Sequence, residues 1–157
     1  MPVQEKPTAH LLRDLALRAI HRELRPVYRP TERLDAGPGG RGRQWDFVVR
    51  EGLENLAQAI ILRVLTPRGE LAALGHPDYG SRVHELIGAG NTATTRALLR
   101  LHLLDALGRE PRIGKIRTLD IIRTPGQRSS VDVRLEVLPA GAAQVLVVGP
   151  FSLDLGP

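Results

Sequence analysis

The sequence predicts an α+β fold: N-terminal helices packed on a small antiparallel β-sheet that forms a C-terminal meander, with an extra tethered helix at the N-terminus. Three observations carry this expectation. Apolar residues recur at helical spacing over 53–65 and again over 97–107. After Gly108 the apolar period falls to about two, most clearly at Val131, Val133, Leu135 and Val137. Turn signals, Pro125-Gly126 and Pro139-Ala140-Gly141, then punctuate the extended stretches. Helices first and strands afterwards are the order of an α+β domain.

Thr8 opens the first stretch as a candidate N-cap, and Leu11, Leu12, Leu15, Ala19, Ile20 and Leu24 follow at helical spacing. Arg25-Pro26 ends it, because the residue before a proline is driven out of the helical region. Residues 1–25 are therefore expected to be a helical extension. Residues 26–44, with Pro26, Pro30, Pro38 and the run Gly37-Pro38-Gly39-Gly40-Arg41-Gly42-Arg43, are expected to be a linker. The main domain is expected over 45–157. It begins with a short strand or extended entry in which Trp45, Phe47 and Val49 alternate with Asp46, Val48 and Arg50, and Gly52 breaks it.

Leu53, Leu56, Ala57, Ile60, Ile61, Val64 and Leu65 trace one helical face, which Thr66-Pro67-Arg68-Gly69 stops. Ser81 can cap a short helix carrying Val83, Leu86 and Ile87. Asn91 or Thr92 can cap the next, with Ala97, Leu98, Leu101, Leu104 and Leu107 on one side and Gly108 at its end. Ile113–Arg123 reads as a strand of imperfect alternation, so both of its faces or a bulge are involved. Val131–Val137 buries one face and wets the other. Val145, Val147, Phe151, Leu153 and Leu155 give a last strand, bent at Gly149-Pro150. No internal repeat is visible.

Composition narrows the function. With no cysteine among 157 residues, a disulfide framework, a thiolate zinc site, an iron–sulfur cluster and a cysteine nucleophile are excluded. No apolar run reaches about 18 residues, so no membrane insertion is expected. MPVQEKPTAH lacks the pattern of a secretory signal, and the expected location is cytoplasmic. The net charge is +5; residues 1–44 hold nine basic and five acidic side chains, so most of the excess is N-terminal. One Trp, two Tyr and two Phe are few for a base-stacking platform, and no nucleic acid is expected as partner.

The catalytic motifs fail on spacing. Five residues separate Gly108 from Gly114-Lys115 where a phosphate-binding loop needs four, and Ile116 stands where a magnesium-holding hydroxyl belongs. His84-Glu85 starts like a zinc motif, but Gly88 takes the place of its second histidine. No metal, cofactor or catalytic residue is therefore assigned. Glu110 is the conspicuous carboxylate. Beside Pro111 and Arg112 it is favoured in its ionised form, which makes a poor general acid, and no second carboxylate stands out as its partner.

The order of the signals is more specific than any one of them. A helix ends in Thr66-Pro67-Arg68-Gly69-Glu70. Pro77-Asp78-Tyr79-Gly80-Ser81 enters a short helix. An apolar helix ends at Gly108 and is followed by Arg109-Glu110-Pro111-Arg112-Ile113 and then by strands. Over roughly Trp45–Leu155 this resembles the GPW-type baseplate wedge, or sheath-initiator, family of contractile phage tails and contractile injection systems.

The resemblance implies a structural protein rather than an enzyme. It would be present in six copies around the tube or hub and would join baseplate wedge proteins to the first ring of sheath subunits. It implies that Glu110, Pro111 and Arg112 contact the wedge proteins and that the strands meet the sheath by completing a shared sheet. Strand addition needs only unpaired backbone groups at an edge, and Val131, Val133, Leu135, Val145 and Val147 are the expected contact residues. Proline fixes its own φ and holds Glu110 extended, so the two charged heads are expected on a stiff corner. The bland reading of the same residues is a pair of solvated charges at a helix end. The competing functions are a lysozyme-like peptidoglycan hydrolase and a nucleic-acid binder acting through the basic N-terminal helix.

Overall fold

The computed structural model describes residues 11–22, 25–36 and 42–156. The chain divides into two compact units between Gln58 and Ala59. The α+β class holds: two α-helices accompany several antiparallel strands.

The first unit corrects the expectation for the N-terminus. No helix spans the described part of 8–25. The chain runs as strands β1 (Arg13–Leu15) and β2 (Leu17–Arg22), while the proposed cap at Thr8, together with Leu24, lies outside the described residues. The expected linker is also largely strand: β3 (Arg25–Pro30), β4 (Glu32–Ala36) and β5 (Arg43–Phe47), followed by β6 (Val49–Glu51). The Gly37–Arg41 part of the glycine-rich run lies outside the described residues.

These strands form three two-stranded antiparallel ladders, β1–β6, β2–β3 and β4–β5. The ladders meet at Ala16, Thr31 and Val48. Ala16 N–H donates to the Val48 carbonyl (2.7 Å), Val48 N–H to Thr31 (2.8 Å) and Thr31 N–H to Ala16 (2.7 Å), a closed ring of three hydrogen bonds. The prolines are compatible with this arrangement. Pro26 and Pro30 have the same parity in a strand with one partner, where alternate backbone positions point away from the ladder and need no donor.

Helix α1 (Gly52–Leu65) begins where Gly52 takes a left-handed φ of 63°. In the first unit its polar side chains satisfy extended backbone. Asn55 Nδ2 donates to the Leu11 carbonyl at 3.0 Å. Gln58 both accepts from Leu17 N–H and donates to the Leu15 carbonyl, each at 2.8 Å. Asn55 and Gln58 are buried, so these bonds answer groups that water does not reach.

In the second unit the chain leaves α1 through the turn at Pro67–Glu70, enters a short 3₁₀ helix (Val83–Leu86) and then α2 (Ala93–Gly108). Thr92 caps α2, its hydroxyl accepting from Thr95 N–H at 3.1 Å. Strands β7 (Ile113–Arg123), β8 (Ser130–Pro139) and β9 (Leu146–Asp154) form an antiparallel sheet in the order β7-β8-β9, and α2 packs against β7 and the 3₁₀ helix. Two one-residue bulges, at Gly114 and Arg117, account for the imperfect alternation of β7. A third falls at Gly149-Pro150 in β9, where the bend was expected; there Gly149 takes φ 98°, and a Cβ would lie 2.5 Å from the Val133 carbonyl. Leu99, Leu103 and Leu107 of α2 and Val131, Val133, Leu135 and Val137 of β8 are fully buried and form the centre of the core. No helix among the described residues is long and apolar enough to cross a membrane.

Candidate functional site

The Glu-Pro-Arg corner connects the end of α2 to the start of β7. Its backbone follows from local rules. Glu110 N–H donates to the Leu107 carbonyl (3.1 Å) as the helix ends, and Ile113 N–H donates back to the Glu110 carbonyl (3.0 Å), closing a β-turn. Pro111 occupies the second position of that turn, where a fixed φ near −65° is already correct. The Arg112 carbonyl accepts from Ala140 N–H at 2.9 Å, which ties the corner to the β8–β9 connection.

The side chains depart from the expectation of two displayed charges. Glu110 is buried, 4% exposed, and turns inward. Its Oε1 accepts from Arg112 Nε at 2.6 Å and from Arg112 N–H at 3.3 Å; its Oε2 accepts from Arg112 Nη2 and from Arg63 Nη2, both at 3.1 Å. One carboxylate thus holds two guanidiniums, one of them from α1. Arg63 is itself buried, its guanidinium 4.5 Å from the centre of the Tyr79 ring and its Nε without a hydrogen bond. The ring face supplies part of what that nitrogen lacks. Pro111 stays exposed, and the Arg112 side chain is mostly covered.

The electrostatics follow from this geometry. Burial pushes the Glu110 carboxyl up, but the hydrogen bonds and charge of Arg112, together with the charge of Arg63, outweigh it and hold the group below its ordinary value. A carboxylate kept ionised in this way does not donate a proton near neutral pH. Chemically the cluster is a clamp: it joins α1, the end of α2 and the start of β7 through one side chain.

The expected strand contacts separate into two groups. Val131, Val133 and Leu135 lie on β8, the central strand, paired on both sides and fully buried. They are core residues, and the expectation that they meet a partner is corrected. Their strict alternation marks burial; it does not say whether the covering layer is the same chain or another. Val145 lies half-buried just ahead of β9, and Val147 lies on β9, 47% exposed. The open borders of this sheet are β7 and β9. β7 carries Lys115, Arg117 and Arg123 together with two bulges, all of which hinder edge pairing. β9 carries no charge before Asp154; its one bulge lies at Gly149-Pro150 and leaves Leu146–Val148 regular.

Arg63 and Tyr79 are the members of the corner that the linear pattern does not reveal. A signal for Arg63 was present: a lone cation inside Ile60-Ile61-Leu62-Arg63-Val64-Leu65 must find a partner once the helix is buried. Among the described residues no group of three or more His, Asp or Glu side chains is arranged to hold a metal ion.

A scan against protein-family models matches none, and a search of curated proteins finds no match.

Proposed function

We propose that the protein is a structural baseplate component of a contractile injection system or phage-like tail. In this reading it sits in six copies around the tube or hub in a cytoplasmically assembled particle and joins wedge proteins to the first ring of sheath. The order of motifs from Thr66 to Ile113 suggests the class. The observation that carries the mechanism is the outer border of β9 over Leu146–Val148, uncharged and without a further strand partner among the described residues. There a sheath strand can add to the sheet through backbone hydrogen bonds ahead of the bulge at Gly149-Pro150. The corner contributes stiffness rather than displayed charge: Pro111 and the outer edge of Arg112 meet the wedge, while Glu110 fixes them from inside. The held ionisation of Glu110 argues against the peptidoglycan hydrolase, which needs a carboxylic acid with a raised pKa. A nucleic-acid reading that relied on a basic N-terminal helix loses that helix to strands β1 and β2.

The test is co-expression of a tagged chain with the sheath and wedge reading frames of its own locus. Recovery of both partners is expected. Val147→Lys, which places a cation on the β9 border, should release the sheath subunits and retain the wedge proteins. Recovery of neither partner overturns the reading. So does lysis of peptidoglycan by the purified chain that Glu110→Gln abolishes.

A further inference from the structure

Helix α2 is apolar on two opposite sides. Thr95, Leu99, Leu103, Ala106 and Leu107 face the core and are buried. On the other side Leu98 is 42% exposed, Leu101 60% and Leu104 40%, and the exposed Thr94, Ala97 and Gly108 share their arc. At 3.6 residues per turn these six positions fall within roughly 120°. Their spacing, 94, 97/98, 101, 104 and 108, is the three–four alternation of a helix–helix seam. Scattered surface leucines are ordinary, but three on one arc along most of a helix form a continuous ridge.

The charges bordering this ridge are unequal. Asp105, the one carboxylate of α2, falls inside this arc, between Thr94 and Leu98 on the helical wheel, and is already engaged by Arg109 Nη2 (3.1 Å) and Arg68 Nη1 (3.2 Å). On one flank Arg100 is exposed and makes no hydrogen bond or ion pair among the described residues. Arg96 lies on the core-facing side and rests on the neutral carbonyl and side-chain oxygens of Asn91. The ridge therefore carries one paired carboxylate within it and one uncompensated cation, Arg100, on its flank.

We infer that the outward face of α2 docks an acidic amphipathic helix of a partner protein, its apolar stripe on Leu98, Leu101 and Leu104 and a carboxylate beside Arg100. A second helix fits because its ridges mesh with the same three–four rows at a shallow crossing angle. It must be acidic on its flank because the uncompensated charge along the seam is positive. This inference stands on α2 alone and does not depend on the baseplate reading; it keeps its test even if the chain recovers no sheath.

The probe is a synthetic three-heptad peptide with leucine at a and d and glutamate at the flanking positions, whose own repulsion keeps it from self-pairing. Fluorescence anisotropy with the full chain should show saturable binding that weakens with salt. Leu101→Glu should weaken it at least about tenfold, and Arg100→Glu should shift the preference to a lysine-flanked peptide. Circular dichroism of both variants should match the parent, since both positions are exposed; Leu98→Gln with Leu104→Gln provides a milder second variant with the same expected loss. Absence of saturable binding overturns the inference, as does equal binding of the lysine-flanked peptide. It is also overturned if the chain sediments as a dimer that Leu101→Glu splits while the peptide fails to bind, because the face then belongs to a second copy.

Discussion

Glu110 shows how one carboxylate can do structural work that its neighbours in sequence conceal. Two guanidiniums converge on it from Arg63 and Arg112, 47 and 2 residues away. Removing the charge from a buried group of this kind leaves two poorly compensated cations. Glu110→Gln is expected to cost about 3 kcal/mol, read as a fall in the urea midpoint at neutral pH. The pH dependence has a defined sign. The carboxyl has a lower pKa folded than unfolded, so its contribution is present above the ordinary value of 4.5 and is lost as pH falls through the lower folded value. Stability of the parent should therefore drop more steeply below about pH 4.5 than that of Glu110→Gln; parallel curves would show that the clamp contributes nothing. Gly80 is a second position where one atom decides the outcome. Its φ is 100°, and a Cβ would lie 2.5 Å from the Thr66 carbonyl, in the segment where Pro67 and Ser81 bridge. Gly80→Ala should cost about 2 kcal/mol or more by the same denaturation measurement.

At the scale of elements, helix α2 follows its local signals at its ends but not in its faces. Of the apolar side expected over Ala97, Leu98, Leu101, Leu104 and Leu107, only Leu107 is buried, and the core takes Leu99, Leu103 and Ala106 instead. Thr92 supplies the cap, Gly108 ends the helix, and Thr92→Ala should lower stability by about 1 kcal/mol. Leu103→Ala, at a fully buried position, should cost about 2–5 kcal/mol, well above any exposed leucine of the same helix. The strands of the second unit were legible too, down to the bend at Gly149-Pro150. The N-terminal segment was not. Its apolar residues satisfy a helical period, yet Leu11 and Ala16 are buried while Leu12 and Leu15 are exposed. The decision is made by partners distant in sequence: Arg13 pairs with Glu51, and the carbonyls of Leu11 and Leu15 are answered by Asn55 and Gln58. A periodicity argument sees only the segment itself, and here non-local pairing overrides it. The same blindness made Val131, Val133 and Leu135 look like contact residues.

Across the whole molecule, protection from exchange should follow sheet context. β8 is hydrogen-bonded on both sides within a covered sheet, whereas each ladder of the first unit has two strands. Hydrogen exchange should be slowest over Val131–Val137 and faster through β2–β3 and β4–β5; slower exchange in those ladders would contradict the sheet assignment. Trp45, the single tryptophan, is 66% exposed on β5, so acrylamide should quench most of the native fluorescence. A shielded Trp45 would show that this face of β5 is covered in solution.

The sequence by itself determined the α+β class, the Thr92 cap and the helix stops of the second unit, the strand alternation of β8 and the place of the corner at Glu110-Pro111-Arg112, whereas in the short helix, expected to be capped by Ser81, the cap residue makes no side-chain capping bond. Each of these is written in residues within a few positions of one another, where spacing and backbone preference act directly. Only the tertiary structure decided that Arg13–Leu15, Leu17–Arg22, Arg25–Pro30 and Glu32–Ala36 are strands, that Glu110 faces inward to Arg63, that β8 lies in the middle of its sheet and that α2 keeps a second apolar side uncovered. Those outcomes depend on which distant groups meet, and the free energy of such meetings, between pairs as far apart as Glu110 and Arg63, is carried by no local pattern.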